Sequence, residues 1–281
     1  MPKSAKTQQL IALIGQIMEQ IGERMTVRQA YYQLVARQAI ENSLKSYKRF
    51  DALLTKARKD GSIDPYSFLD TSKPFLKQPS WNNLNDYIPS VKASYKRSVW
   101  PTQPEYVEFW LEKDALRGII EPIAQKYDCC LVIGRGYQSI TNILDARDRF
   151  DNDRNNYILY LGDFDPTGQD IPRSIEDNLT KFGANNFQLE RIALTPEQIE
   201  TYGLPPAPAK SKDSRTAGFV KKYGNKTVEL DALTPQTLRH LTEKAILEHL
   251  DVEAYLHTLK LEEADKSKVD QLQGFGKEEV L

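Results

Sequence analysis

The sequence predicts an α/β protein that begins with a helical domain, and three observations support this. From residue 106 onward, short apolar runs typical of β-strands alternate with segments of helical periodicity, which favours a parallel sheet covered by helices. The preceding part contains three amphipathic helical segments within residues 5–59. Charge divides the chain similarly, because residues 1–100 hold 16 Lys and Arg against 8 Asp and Glu, whereas the remainder holds 22 against 31.

The N-terminal region is predicted to form three helices. The first spans residues 5–21, and Thr26 is a suitable N-cap for a second that continues to about residue 37. The third, over residues 44–59, is rich in Lys and Arg, and residues 62–69 follow it as a candidate wing. This order favours a helix-turn-helix or winged-helix module, whose strongly basic third helix would meet DNA. The expected DNA contacts on that helix are Lys48, Arg49, Lys56 and Arg58.

The remaining elements are assigned in chain order. Five prolines interrupt the stretch before the first strand, which is interpreted as a linker without regular structure. Strands are predicted at 106–111, 129–133, 157–161, 187–194 and 227–230. Helices are predicted at 114–127, 138–150, 168–182, 196–202, 235–250 and 252–261. The resulting division is a DNA-binding domain at 1–71, a linker at 72–104, an α/β domain at 105–261 and a flexible tail at 262–281.

Acidic residues follow two of the predicted strands. Glu112 comes directly after the strand at 106–111, and Asp163 and Asp165 follow the strand at 157–161. The carboxyl ends of parallel strands collect at one edge of a sheet, where ligands and chemistry are usually found. Carboxylate oxygens suit Mg²⁺, and Mg²⁺ suits work on phosphate esters. We therefore expect these three acids to bind Mg²⁺, the alternative being that they are solvent-facing acids at the starts of loops.

Composition excludes other classes of protein. No apolar run is long enough to span a bilayer, and the N-terminus has no signal-like apolar core. The only two cysteines are adjacent in a strand-like run, so a structural zinc site or disulfide is not expected there. No nucleotide-hydrolysis motif is present. The expected location is the cytoplasm, in association with the nucleoid.

Several motifs, taken in order, resemble one known family. Glu112, the Gly-Arg-Gly-Tyr run at 134–137 and the Asp-Phe-Asp-Pro run at 163–166 resemble the Toprim domain of the topoisomerase VI A subunit and its meiotic double-strand-break relatives. Residues 26–32 resemble the Thr-x-Arg-x-x-Tyr-Tyr signature of the same family's winged-helix domain. Residues 228–233 lie where the family has a Glu-x-x-Ala-Leu segment. The resemblance implies a winged-helix (CAP-like) domain followed by a Rossmann-like parallel-sheet Toprim domain, in a compact member.

The resemblance also implies residue roles. Tyr32 would attack the DNA phosphodiester, as in a type IIB topoisomerase, and Arg28, one helical turn earlier, would brace the phosphate. Glu112 would either bind Mg²⁺ with Asp163 and Asp165 or exchange a proton with the leaving 3′ oxygen. Arg135 would contact DNA. The implied partners are double-stranded DNA, a second copy of the chain in a homodimer, and a separate GHKL-type ATPase subunit.

Two alternatives remain open at this level. The chain is similar also to the Toprim nuclease subunit of the Wadjet plasmid-defence system, which implies hydrolysis by water at the same acids without a tyrosine nucleophile. A non-catalytic DNA-binding protein that retains the fold is the second alternative. Tyr32 would then be a packing residue, as Tyr31 in the apolar stripe of the same helix is expected to be. Glu229 is a further candidate for the acidic cluster.

Overall fold

The computed structural model describes residues 5–69, 78–209 and 215–272. Their helices and strands alternate in the second half of the chain, as the sequence predicts. In chain order they are α1 (Ala5–Ile21), β1 (Met25–Thr26), α2 (Val27–Ala36), α3 (Leu44–Lys59), β2 (Phe68–Leu69), α4 (Leu84–Ser94), β3 (Glu105–Leu111), α5 (Arg117–Lys126), β4 (Cys130–Ile133), α6 (Ile140–Arg149), β5 (Asn155–Leu161), α7 (Pro166–Lys181), β6 (Phe187–Ala193), α8 (Pro196–Thr201), α9 (Thr216–Tyr223), α10 (Pro235–His249) and α11 (Val252–Leu272).

A four-stranded parallel sheet is the centre of the fold. Its strand order is β4-β3-β5-β6, so β3 and β5 are the two inner strands. Leu111 at the end of β3 lies opposite Leu161 at the end of β5. The prediction of an α/β fold with a parallel sheet is therefore confirmed, and the carboxyl ends of β3 and β5 are adjacent.

Apolar side chains cover both faces of the sheet, because successive residues of a strand point to opposite sides. Phe109 belongs to the core cluster that includes α5 and α10, and Trp110 belongs to the smaller cluster that includes α6 and α7. Helices α5 and α10 contact each other, as do α6 and α7. The sheet is thus buried between two helical layers, which leaves its ends as the places where polar side chains can gather.

Helices α1, α2 and α3 pack together at the N-terminal end of the chain. Tyr31 is in their core, in edge-on contact with Tyr47 and near Phe50, as its place in the apolar stripe predicts. The candidate wing differs from its prediction. Over residues 62–69 the chain forms a 3-10 turn and then β2, which pairs in parallel with β1 rather than in a hairpin.

Three element predictions are corrected. The predicted linker contains α4, which is capped by Asn83, accommodates Pro89 and contacts α11. The predicted tail is helical up to residue 272, because Glu262 turns inward and accepts a hydrogen bond from the backbone N–H of Arg97. The predicted strand at 227–230 is reduced to isolated bridges. Residues 70–71 at the end of the predicted DNA-binding domain, residues 72–77 of the predicted linker and residues 273–281 of the predicted tail lie outside the described residues.

None of the helices in the described ranges combines the length and the apolar character that a bilayer crossing requires.

Candidate active site

Glu112 and Asp163 are joined across the ends of β3 and β5. Glu112 follows β3, and its Oε2 atom accepts hydrogen bonds from the backbone N–H of Asp163 at 2.9 Å and from the Tyr160 hydroxyl at 3.1 Å. Gly162 makes this approach possible, since a Cβ atom there would lie 2.5 Å from Glu112 Oε2. The strand-end acids therefore occupy one edge of the sheet, as the sequence predicts.

Asp165 lies beside them but has a separate structural role. It is the N-cap of α7, and its Oδ1 atom accepts a hydrogen bond from the backbone N–H of Gly168 at 2.7 Å. A side-chain oxygen of this kind satisfies one of the unpaired N–H groups at a helix start. One oxygen of Asp165 is thus turned toward the helix.

A distant segment contributes two further carboxylates to this edge. Phe164 and Val228 form an antiparallel bridge through two backbone hydrogen bonds of 2.8 and 2.9 Å. The backbone N–H of Leu230 donates to Asp163 Oδ1 at 2.8 Å. These bonds bring Glu229 and Asp231 to the strand ends. The membership of Glu229 in a metal-binding cluster stays a prediction.

Lys113 lies among three of these carboxylates. Its Nζ atom is 2.8 Å from Asp231 Oδ2, 3.0 Å from Asp163 Oδ2 and 3.1 Å from Glu229 Oε2. Its side chain is only 22% exposed. Burial alone would lower the pKa of Lys113, but the carboxylates raise it well above its ordinary value. The ammonium group therefore stays charged and holds the cluster together.

Arg28 connects helix α2 to the same cluster. Its guanidinium forms a two-point ion pair with the Glu229 carboxylate and lies 4.7 Å from the ring centre of Tyr47. Helix α2 begins at the N-cap Thr26, whose side chain and that of Gln29 form a capping box. The Gln29 amide also donates to the carbonyl of Leu233 at 3.1 Å. The start of α2 is thus fixed against the segment that carries Glu229.

Tyr32 is on the same side of α2 as Arg28. The Arg28 guanidinium lies 5.7 Å from the centre of its ring, and only 4% of the residue is exposed. Tyr32, Asp165 and Glu229 line one cavity of about 150 Å³. The structure therefore brings the predicted nucleophile, its predicted arginine and a predicted metal-binding acid to one place, although the chain separates them widely.

Burial shifts the pKa values of several groups at this site. Burial and then the nearby Glu229 carboxylate raise the pKa of Tyr32, so its phenol is protonated. Burial raises the pKa of Asp163 to about 7, against the opposing effect of Lys113. Burial also raises the pKa of Glu112. With five carboxylates against the three cations Lys113, Arg28 and Arg191, the cluster has an excess of negative charge.

The donor set fits a hard divalent cation in its chemistry. Every candidate ligand is a carboxylate, and an ammonium group already lies among the carboxylates as a cation would. The arrangement is not preformed, however. Among the residues that the structure describes, no group of three or more His, Cys, Asp or Glu is placed to hold a metal ion. The reason is that Glu112 and Asp165 turn oxygens to backbone N–H groups while Asp163 binds Lys113.

The predicted DNA contacts lie on two surfaces. Lys48, Arg49 and Lys56 are exposed on α3, as expected for a face that meets phosphate. Arg58 instead folds back, donating to the carbonyl of Pro65 at 3.1 Å with its guanidinium 5.5 Å from the ring centre of Phe68. Arg135 is 83% exposed and pairs with Asp114 at the edge that carries the acids.

Three residues at this edge have roles that the sequence alone did not indicate. Lys113 follows Glu112 and Asp231 lies in the 228–233 segment, but no feature of the sequence near either residue predicts that they contact each other. Arg191 on β6 donates to the carbonyls of Gly162, Asp163 and Gly168 and so braces the turn that carries the aspartates. Because β6 also contains Gln188 and Glu190, Arg191 does not stand out from its neighbours in the sequence.

Comparison with known proteins provides no assignment. No protein-family model matches the chain, and no curated protein matches it at a significant level. Its function is therefore inferred from the residues and their geometry.

Proposed function

We propose that this chain cleaves DNA by transesterification, with Tyr32 as the nucleophile and Glu112, Asp163 and Asp165 as the acids of a Mg²⁺ site. The activity would resemble that of a type IIB topoisomerase A subunit, with a winged-helix module and a Toprim domain. The observation that carries the proposal is the shared cavity: Tyr32 and Asp165 line it together. Helix α2, which carries Tyr32, and the turn after β5, which carries Asp165, thus face the same space.

In the proposed reaction the Tyr32 hydroxyl oxygen attacks phosphorus, forming a phosphotyrosine ester as the bond from phosphorus to the 3′ oxygen breaks. The phosphate ester energy is retained, so the reverse reaction reseals the strand. The phenol proton must leave, and the leaving 3′ oxygen must gain one. The first transfer needs a base at the site, because the ordinary pKa of tyrosine, near 10, disfavours the free phenolate at neutral pH. The second needs an acid that can give a proton to the 3′ oxygen.

Arg28 and Glu229 are suited to the first transfer. In the closed site Glu229 is a weak base, because hydrogen bonds from Arg28 and Lys113 outweigh its burial and lower its pKa to about 2. A DNA phosphate offers Arg28 an alternative partner with the same bidentate geometry. Once Arg28 turns to phosphate, Glu229 regains basicity beside the Tyr32 hydroxyl and accepts its proton.

The acids would serve the other side of the reaction. Asp163 and Asp165 would hold Mg²⁺, and Glu112 would either join them or exchange a proton with the 3′ oxygen. The ion, when bound, supplies neutralisation of the negative charge that develops on the phosphate and the leaving oxygen. The exposed Lys48, Arg49 and Lys56 would position the DNA backbone.

Double-strand cleavage by this site requires two copies of the chain. Each chain has one Tyr32, so two strands need two sites, which a two-fold homodimer supplies. Strand passage driven by ATP would need a separate GHKL-type ATPase subunit.

One observation favours a second candidate function. Tyr32 is buried and its pKa is raised, so it is not activated in the described state. A hydrolytic endonuclease of the Wadjet nuclease-subunit type would use the same acids with water as the nucleophile. Tyr32 would then be a packing residue.

The test is cleavage of supercoiled plasmid in Mg²⁺, stopped with detergent and divided into samples with and without protease. We expect breaks whose 5′ ends carry protein, lost in Tyr32→Phe and in Asp163→Asn. Tyr31→Phe is the matched control, since Tyr31 is a neighbouring buried tyrosine whose hydroxyl faces the backbone near residue 43.

The outcomes separate the candidates. Free 5′ ends, made equally well by Tyr32→Phe, would exclude the tyrosine and favour hydrolysis. Cutting that survives Asp163→Asn would exclude the metal site. Binding of DNA without any cutting, under conditions where the protein is folded, would leave only the non-catalytic DNA-binding function.

A further inference from the structure

We propose that Lys113 is an internal counter-ion that competes with divalent cations for the acid cluster. This inference deepens the proposed function and rests on its Mg²⁺ site. It assigns to Lys113 the role of holding the cluster closed in the metal-free protein, so that a divalent ion must displace or repel its ammonium group to bind.

The contacts of Lys113 carry the proposal. One ammonium group has three N–H bonds, and here three carboxylates, those of Asp163, Glu229 and Asp231, lie within 3.1 Å of its nitrogen. Two of its N–H groups donate hydrogen bonds to Glu229 and Asp231, and Asp163 Oδ2 forms an ion pair with the ammonium group at 3.0 Å. The Asp163 oxygen that binds Lys113 belongs to the residue that the proposed metal site also needs. Asp163 is thus the residue for which Lys113 and a divalent ion would compete.

The directions of the Glu112 and Lys113 side chains also support competition between Lys113 and a divalent ion. Glu112 is adjacent to Lys113 in the chain, yet its Oε2 atom points to the β5 end while Lys113 points to the 229–231 segment. Glu112 thus contacts the backbone at the end of β5, whereas Lys113 contacts the acids of the 229–231 segment. A divalent ion placed at Asp163 would stand close to the Lys113 ammonium, and like charges at such a distance repel strongly in a partly buried site.

The experiment is a titration with Mn²⁺, followed by the electron paramagnetic resonance signal of the free ion. It compares the unmodified protein with Lys113→Met, which keeps the length of the side chain and removes its charge. We expect Lys113→Met to bind Mn²⁺ at least tenfold more tightly, a difference of about 1.4 kcal/mol in binding free energy. The matched control is Lys126→Met, which removes one positive charge from an exposed ion pair with Glu243.

Each binding result has one meaning. Equal or weaker Mn²⁺ affinity in Lys113→Met than in the unmodified protein overturns the role of Lys113 while the proposed metal site stands. A gain of the same size in Lys126→Met shows that net charge alone is responsible and also overturns it. Failure of the unmodified protein and Lys113→Met alike to bind Mn²⁺ removes the metal site itself and the inference with it.

A second measurement avoids the risk that Lys113→Met folds poorly once Asp163, Glu229 and Asp231 have lost the cation that they share. The unmodified protein is treated with formaldehyde and a mild reductant, and methylation of each lysine is followed by mass spectrometry with and without Mn²⁺. We expect Mn²⁺ to release the Lys113 amine and to increase its methylation rate several-fold, with no change at Lys126, which is 56% exposed throughout. Bound Mn²⁺ with an unchanged rate at Lys113 would overturn the inference.

Discussion

The Arg28 guanidinium forms a two-point ion pair with the carboxylate of Glu229, 201 residues further along the chain. Because Lys113 shares the same carboxylate, Glu229 connects the N-terminal helices to the edge of the sheet. This pair fixes the position of Tyr32, which follows Arg28 by one helical turn.

The ion pair predicts a pH-dependent effect of Glu229→Gln. Burial opposes ionisation of Glu229, but Arg28 and Lys113 outweigh it and lower its pKa from 4.5 to about 2. An acid whose pKa falls on folding stabilises the folded state above its unfolded pKa and loses that stabilisation as the pH falls toward its folded pKa. We expect the variant to lose about 1 kcal/mol of unfolding free energy at pH 7 and less at pH 3, measured by urea unfolding.

The control for this experiment is Glu121→Gln, because the pair of Glu121 with Arg117 is exposed. Its unfolding free energy is expected to change by less than about 0.5 kcal/mol at either pH. An equal loss at pH 7 and pH 3 in Glu229→Gln would show that packing, rather than charge, stabilises the contact.

Gly162→Ala is expected to displace Glu112. The added Cβ would lie 2.5 Å from Glu112 Oε2 and 2.6 Å from the Tyr160 hydroxyl, which is too close for either atom to remain in place. We expect a loss of about 1–3 kcal/mol in unfolding free energy, as for other overpacked sites, together with loss of DNA cleavage. Gly15→Ala in α1 is the control, since its Cβ would meet nothing within 4 Å. Unchanged cleavage by Gly162→Ala would show that the position of Glu112 is not needed.

Removing the hydroxyl group is expected to affect mainly stability at Tyr31 and mainly DNA cleavage at Tyr32. The Tyr31 hydroxyl accepts a hydrogen bond from the Ser43 N–H at 2.9 Å and lies 3.1 Å from the carbonyls of Glu41 and Ser43. Tyr31→Phe should therefore lower the unfolding free energy by about 1–3 kcal/mol and leave cleavage intact. Tyr32→Phe should abolish protein-linked breaks at a smaller cost in stability. Thermal unfolding and the plasmid assay, run on both variants, decide this, and a reversed pattern would contradict it.

A buried ion pair between strand β3 and helix α6 predicts a large loss of stability when it is broken. Glu108 is fully buried on β3 and binds Arg149 through two hydrogen bonds of 2.7 and 3.0 Å. Removing its partner in Arg149→Met leaves a buried charge unpaired, which costs about 3–5 kcal/mol. Arg117→Met, which breaks an exposed pair, is expected to cost about 0–1 kcal/mol. Denaturant unfolding measures both, and similar losses in the two variants would contradict the distinction.

Local periodicity made much of the sheet predictable. The alternation of apolar runs and helical segments defines β3 to β6 closely, because both periods are local properties of the sequence. Helix α4 was missed because Pro89 and its neighbours suggest a linker, while contact with α11 stabilises the helix. The helical extension of α11 was missed because its charges suggest a tail, although Lys266 pairs with Glu262 one turn away.

The candidate site was predictable where it depends on strand ends and unpredictable where it depends on long-range pairing. Glu112 and Asp163 each follow a strand, so parallel pairing of β3 and β5 brings them together. Asp231 lies 118 residues from Lys113, and long-range contacts such as the Phe164–Val228 bridge and the Leu230–Asp163 hydrogen bond place it there. No local pattern encodes such a contact. The excess charge of the cluster, likewise, follows from the assembled arrangement.

The bridge between Phe164 and Val228 has a consequence for biosynthesis. Arg28 and Lys113 leave the ribosome well before Glu229, which is made 201 and 116 residues after them. During translation both cations therefore lack this shared partner, and the acid edge stays open until the segment after residue 227 emerges. Since folding during synthesis proceeds from the N-terminus, the earlier helices and strands can form before the cluster closes. A nascent chain that ends before residue 229 would thus hold an incomplete site, in which Arg28 and Lys113 have not yet met their shared carboxylate.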